Sequence, residues 1–147
     1  MPTPTPTTQG FADRRFDTAI QEALGKPWVV LGRGPDAFDC WGFVLWVYRA
    51  AGVALPDFAY DIQNDRATLF QAGAPALAGA GWEAVATPAP YSIVTLGQRQ
   101  EATHVAVWHP SGVYYHALEK QGVVGYTASR IDTLFRTKTF WRRKCRT

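Results

Sequence analysis

The chain has 147 residues, 47% of them apolar and 14% aromatic, a length and content that bury about two thirds of the unfolded surface around one core without disulfide staples. No apolar run approaches the roughly 18 residues of a membrane span, and two distant cysteines, Cys40 and Cys145, with no CxxC or Cys/His spacing, fit neither a disulfide framework nor a metal centre. The net charge of +3 hides an asymmetry: Arg136, Lys138, Arg142, Arg143, Lys144 and Arg146 leave only nine of the 15 basic residues to face all 12 acids in the rest of the chain.

In chain order, residues 1–10 (MPTPTPTTQG) alternate Pro and Thr and predict an extended arm, since proline bars a helix interior. They lack the charged and then apolar regions of a secretory signal. A first helix is predicted over 11–24, where Phe16, Ala19, Ile20, Ala23 and Leu24 recur at helical spacing before Gly25 and Pro27 stop it. A loop rich in Gly and Pro, GKPWVVLGRGPDAFD, then leads to a second helix from about Cys40 to Ala51, with Asp39 as its N-cap and Gly52 as its end. A weaker helix over 60–72 and a small-residue loop, APALAGAG, follow.

The second half changes period. YSIVTL, HVAVW, VYYHAL, GVVGYT and TKTFWRR read as short strands between turn residues. Helices followed by consecutive strands define an α+β class, an antiparallel sheet packed against helices. The expected organisation is the arm at 1–10 and one domain over 11–147 with a basic C-terminal end, solvated or docked on an acidic partner. No basic face interleaved with aromatics recurs, which argues against nucleic acid as a partner.

Cys40 draws attention because it stands at the head of the second helix rather than within its apolar run. The partial positive charge of a helix N-terminus favours a thiolate, the reactive form of a cysteine. Such a nucleophile also needs a base and a group to orient that base. Of the three histidines, His109 precedes Pro-Ser-Gly and belongs to a turn that faces water. If that turn is a three-residue type I turn with Gly112 left-handed, paired positions sum to 222. His104 and His116 then share one face as diagonal neighbours, roughly 7–8 Å apart at the backbone. A loop one residue shorter or longer would put them on opposite faces. Each feature alone has a plainer reading, a core cysteine or a satisfied polar histidine; together they describe a Cys-His-His triad. Cys145, close to the end, reads as incidental.

These residues resemble the NlpC/P60 cysteine peptidases over about residues 12–125. The stretch GKPWVVLGRGPDAFDCWGFV is similar to that family's glycine-rich loop and nucleophile helix, THVAVW to the strand of its catalytic histidine, and YYHA to the strand of its orienting residue. The resemblance implies a papain-like fold with N-terminal helices on a central antiparallel β-sheet, and it needs no cofactor. It makes Cys40 the nucleophile, His104 the general base and acid, and His116 the orienting residue. The backbone N–H of Cys40 would help hold the oxyanion, and Asp39, Trp41 and Trp28 would border the substrate pocket.

Trp41 stands where the family often has Ser, and Trp28 where it often has Tyr; simple packing is the alternative role for Trp41. The implied substrate is a peptidoglycan stem peptide, commonly cut between D-glutamate and a diamino acid. Asp-Cys-Trp-Gly looks like the branch carried on bacteriophage tails. Together with the missing signal sequence, this predicts carriage on a phage or gene-transfer particle tail tip, with tail-tip or hub proteins as partners. Two other readings remain open: a structural tail-tip component with a silent site, and a cytoplasmic thiol amidase or acyltransferase, because one triad supports any acyl transfer.

Overall fold

The computed structural model describes residues 8–57, 77–79, 81–98 and 102–144. Two helices come first, α1 (Thr8–Ala23) and α2 (Cys40–Ala50). They are followed by β1 (Trp82–Val85), β2 (Ile93–Gly97), β3 (Ala102–Trp108), β4 (Tyr114–Leu118), β5 (Gly122–Tyr126), a short helix α3 (Ala128–Leu134) and β6 (Thr137–Arg143). The strands form one six-stranded sheet in the order β1-β6-β2-β3-β4-β5, and every neighbouring pair is antiparallel. This is the α+β arrangement that the sequence predicts.

Strand alternation divides the core between the two faces of the sheet. On one face Ile93, Val105, Val107, Ala117 and Val123 meet Phe16, Ile20 and Ala23 of α1 and the apolar surface of α2. On the other, Val94, Leu96, Ala106, Tyr114 and Phe140 meet Ile131 of α3. Because α2 is buried at eight of its 11 positions, it is apolar nearly all round, as a central helix must be. It packs against α1, β3 and β4. β2 is buried at every position, which matches its place inside the sheet.

The β3–β4 connection has the expected geometry. His109 N–H donates to Val113 O and Gly112 N–H to His109 O, both at 2.8 Å, with Gly112 at φ +91°. Val107 pairs with Tyr115 and Trp108 with Tyr114, the register that the three-residue turn dictates.

Three expectations are corrected. The first helix begins at Thr8 rather than after residue 10, because the last proline of the arm is Pro6 and nothing in the residues that follow up to Ala23 forbids helical backbone; the Pro/Thr stretch itself lies outside the described residues. The basic end is not a trailing tail as far as Arg143. It is β6, hydrogen-bonded on both sides by β1 and β2, anchored by buried Phe140, while Lys138 pairs with Asp132 at 2.8 Å and Arg142 with Glu83 at 3.0 Å. The APALAGAG stretch contains a helical turn at residues 77–79 that buries Leu77. The helix expected over 60–72, and Cys145, lie outside the described residues.

Candidate active site

The site begins with the loop before α2. Asp39 is fully buried and caps α2, its Oδ1 accepting from Gly42 N–H at 2.6 Å. The same carboxylate accepts from Leu31 N–H at 3.1 Å through Oδ2 and from Arg33 Nη1 at 2.9 Å through Oδ1. Arg33 in turn reaches Asp57 at 3.0 Å. One side chain therefore ties the loop, the helix start and a guanidinium together, and a helix N-terminus is where an anion is stabilised best.

Backbone fit explains the glycine two residues after Cys40. Gly32 O accepts from Asp39 N–H and from Arg33 Nη1, each at 3.1 Å, and a Cβ on Gly42 would stand 1.8 Å from that oxygen. The loop can close over the helix start only if residue 42 has no side chain. Cys40, the first residue of α2, is fixed in consequence. It is 7% exposed and takes part in no disulfide among the described residues.

β3 and β4, both packed against α2, carry the histidines. His104 Nε2 lies 2.8 Å from His116 Nδ1; His104 is buried and His116 fully so. Burial lowers the His116 pKa to about 4, so its ring is neutral at ordinary pH. The hydrogen bond then sets both tautomers. When His104 Nε2–H donates to His116 Nδ1, the proton of His116 sits on Nε2, an atom with no hydrogen-bond partner among the described residues. In that state His104 turns its Nδ1, a potential proton acceptor, away from His116.

The structure thus brings together the two histidines on the face that the register predicts, and it seats Cys40 at the head of the helix packed on their strands. The three residues assigned to the substrate pocket are placed as follows. Asp39 is enclosed as a loop clasp rather than exposed to a pocket, because its oxygens are consumed by backbone and Arg33. Trp41 is 2% exposed and donates from Nε1 to Pro56 O at 2.9 Å, which is the packing role. Trp28 is half-buried against the main core and its backbone bridges to Phe38. His109 is not simply in water: its Nε2 meets Asp17 Oδ1 at 2.9 Å and its Nδ1 meets Ser111 Oγ at 2.6 Å, fastening the β3–β4 turn to α1.

Two ring residues escaped the sequence reading. Phe135, the C-cap of α3, stacks on His104 with centroids 5.4 Å apart and planes 4° apart. Tyr126 lies edge-on to His116, 4.7 Å and 74°. Strand parity would have found Tyr126, because His116 pairs with Val124 and residue 126 shares its face; nothing in the sequence flags Phe135.

With this geometry in view, residues 25–144 match the NlpC/P60 family, and the chain belongs to that family. A probable endopeptidase of Corynebacterium glutamicum is 30% identical over 104 residues, 68% of this chain and 40% of its own length. This chain spans between 11% and 40% of the length of such curated relatives. Among solved structures, the NlpC/p60 domain of the peptidoglycan hydrolase SagA is similar with a TM-score of 0.61 at 18% identity, covering 87% of this chain and 97% of that domain. RipD of Mycobacterium tuberculosis, described as a non-catalytic NlpC/p60 domain protein adapted to peptidoglycan binding, aligns with a TM-score of 0.51 at 15% identity over 80% of this chain and 88% of its own. The fold is therefore that of both a hydrolase and a non-catalytic member of the family.

Proposed function

We propose that residues 11–147 form a cysteine endopeptidase acting on peptidoglycan stem peptides, with Cys40 as nucleophile, His104 as general base and acid, and His116 as the group that orients His104. The observation that carries this reading is the buried 2.8 Å contact between His104 Nε2 and His116 Nδ1. It commits Nε2 of His104 to a neutral partner, which supports Nδ1 as the nitrogen that acts on the thiol.

In the proposed reaction His104 Nδ1 takes the thiol proton as Cys40 Sγ attacks the scissile carbonyl, and the tetrahedral oxyanion develops near the backbone N–H groups at the head of α2. The imidazolium then gives its proton to the departing amine, leaving an acyl-enzyme thioester. Water, deprotonated by the same nitrogen, attacks that thioester and releases the carboxylic acid, restoring the thiol and neutral His104. His116 stays neutral throughout, consistent with a pKa lowered to about 4. The bond between D-glutamate and a diamino acid is the proposed target.

The proposed setting is a phage or gene-transfer particle, with tail-tip or hub proteins as neighbours and the cell wall as the place of action. Its support is the Asp-Cys-Trp-Gly sequence (39–42); proteomics of purified particles tests it, and absence of the chain from them sinks it. The catalytic claim is tested by mass spectrometry of fragments released from diaminopimelate-type peptidoglycan by the wild type and by Cys40→Ala. New stem-peptide fragments from the wild type alone are expected.

A second reading is a wall-binding or structural domain with a silent site. It is favoured by the small exposure of Cys40 and His104, 7% and 8%, and by the likeness to RipD. Peptidoglycan pull-down without any released fragment would select it.

A further inference from the structure

Around the two imidazoles, α3 does something that neither its length nor its single buried residue, Ile131, accounts for. The helix is bracketed by aromatic residues, and each contacts a different histidine. Tyr126 precedes the N-cap Thr127 and lies against His116; Phe135 is the C-cap and lies parallel to His104. Both rings are fixed from outside the site. Arg130, one turn into α3, stands 4.4 Å over the Tyr126 ring. Phe135 N–H donates to Ile131 O at 2.9 Å, and Arg136 N–H to Gly97 O at 2.9 Å, so the chain leaving α3 is pinned to the end of β2.

We propose that α3 and its flanking rings form an aromatic clamp, in which Phe135 and Tyr126 are positioning residues that set the ring planes of His104 and His116. The inference rests on the catalytic reading above and adds two residues to it. The hydrogen bond between the two imidazoles fixes one edge of each ring but does not by itself set the tilt of the ring about that bond. A second contact on each ring, Phe135 face to face with His104 and Tyr126 at an angle of 74° to His116, removes that freedom. His104 Nδ1 is thereby held in one direction.

Phe135 has a further electrostatic effect. When His104 becomes an imidazolium, the negative face of the benzene ring lies parallel to it, within the range at which a cation is attracted to an aromatic ring. The clamp then favours the thiolate–imidazolium pair over the neutral pair. On His116 the effect is different: its Nε2–H has no oxygen or nitrogen partner among the described residues, and an aromatic neighbour offers it at most a weak acceptor. The elements packed around the pair carry Cys40, Tyr48 and Arg49 in α2, Tyr114 and Tyr115 in β4, Tyr126 in β5, and Arg130 and Asp132 in α3 as titratable or charged groups; of these, Asp132 is paired with Lys138 at 2.8 Å.

The test compares wild type, Phe135→Leu, Phe135→Tyr, Tyr126→Leu, Tyr126→Phe and His104→Ala by the rate of Cys40 alkylation with iodoacetamide across pH 5–9. Circular dichroism verifies the fold of each variant. Phe135→Leu is expected to slow alkylation at neutral pH about fivefold, by raising the midpoint of the profile, with Phe135→Tyr restoring it. Tyr126→Leu should behave alike and Tyr126→Phe like wild type. A folded Phe135→Leu whose profile overlays the wild type overturns the clamp. If His104→Ala also leaves the profile unchanged, the failure belongs to the catalytic reading instead.

Should the leucine variants not fold, histidine-selective NMR of the wild type decides. The clamp requires the His104 ring protons to be shifted upfield by the Phe135 face, and unshifted ring protons overturn it.

Discussion

Replacing Gly42 by alanine tests the account of the nucleophile's setting, because two physical arguments predict opposite signs. Judged by helix propensity alone, Gly42→Ala inside α2 should stabilise by about 1 kcal/mol. The surroundings say otherwise. The new Cβ would lie 1.8 Å from Gly32 O, a backbone atom that cannot rotate aside, so the loop must lift from the helix. Overpacking of this kind costs about 1–3 kcal/mol. Lifting Gly32 also strains its bonds from Asp39 N–H and Arg33 Nη1, both 3.1 Å, for about 1 kcal/mol each when lost. After subtracting the propensity gain, a net loss of about 2–4 kcal/mol is expected, or about 5–15 °C in Tm for a chain of this size. Urea unfolding followed by tryptophan emission measures it. Gly79→Ala is the control, since no described residue lies within 4 Å of the Cβ it would add, and it should be neutral or slightly stabilising. A Gly42→Ala protein as stable as wild type would refute the claim that loop contact, rather than helix formation, dictates this glycine.

Other substitutions probe the site from different sides. His116 binds its proton at about 6.5 when unfolded and near 4 when folded, so its contribution is complete above pH 6.5 and erodes as pH falls towards 4, by about 3 kcal/mol in all. His116→Gln should flatten urea midpoints across that window, and an unchanged slope would assign the acid sensitivity elsewhere. Arg33→Gln removes a charged partner from the fully buried Asp39 and should cost about 1.5–3 kcal/mol by the same unfolding assay. Glu83→Gln, which breaks the exposed pair with Arg142, should change stability by less than about 0.5 kcal/mol; a larger loss would mean that this pair helps hold β1 to β6.

What the sequence could disclose follows from the range over which each feature is determined. The second helix, its Asp39 cap and the register of β3 and β4 are local: an N-cap acts within three residues, and a turn with Gly112 at φ +91° fixes pairing on either side of it. The histidine pair was legible for the same reason, being one turn and one parity rule away. The burial of Asp39 and Trp41 was not, because it depends on which loop closes over them; the Gly32–Gly42 contact lies beyond the reach of a cap or a turn. α3 offers only one buried residue, Ile131, too few to show a period. β1, four residues long, has its meaning only beside β6. The basic end misled because its charge is visible in sequence while its partners, Asp132 and Glu83, are not.

The position of β6 has a consequence for how this domain comes into being. Among the described strands, β1 touches the rest of the sheet through β6 alone, and one cross-strand pair in that contact, Glu83 with Arg142, is 59 positions apart. A growing chain can form the hairpin of β3 and β4 early, since those contacts are local in sequence. It cannot finish the sheet until residues 137–143 arrive and slide between two edges already waiting. Until then Val94 and Leu96 of β2 lack their cover from Phe140, and β2 presents an unpaired edge of the kind that invites aggregation. Loss of the chain from Thr137 onward would therefore do more than shorten the protein: it would leave β1 without its partner strand and reopen the middle of the sheet.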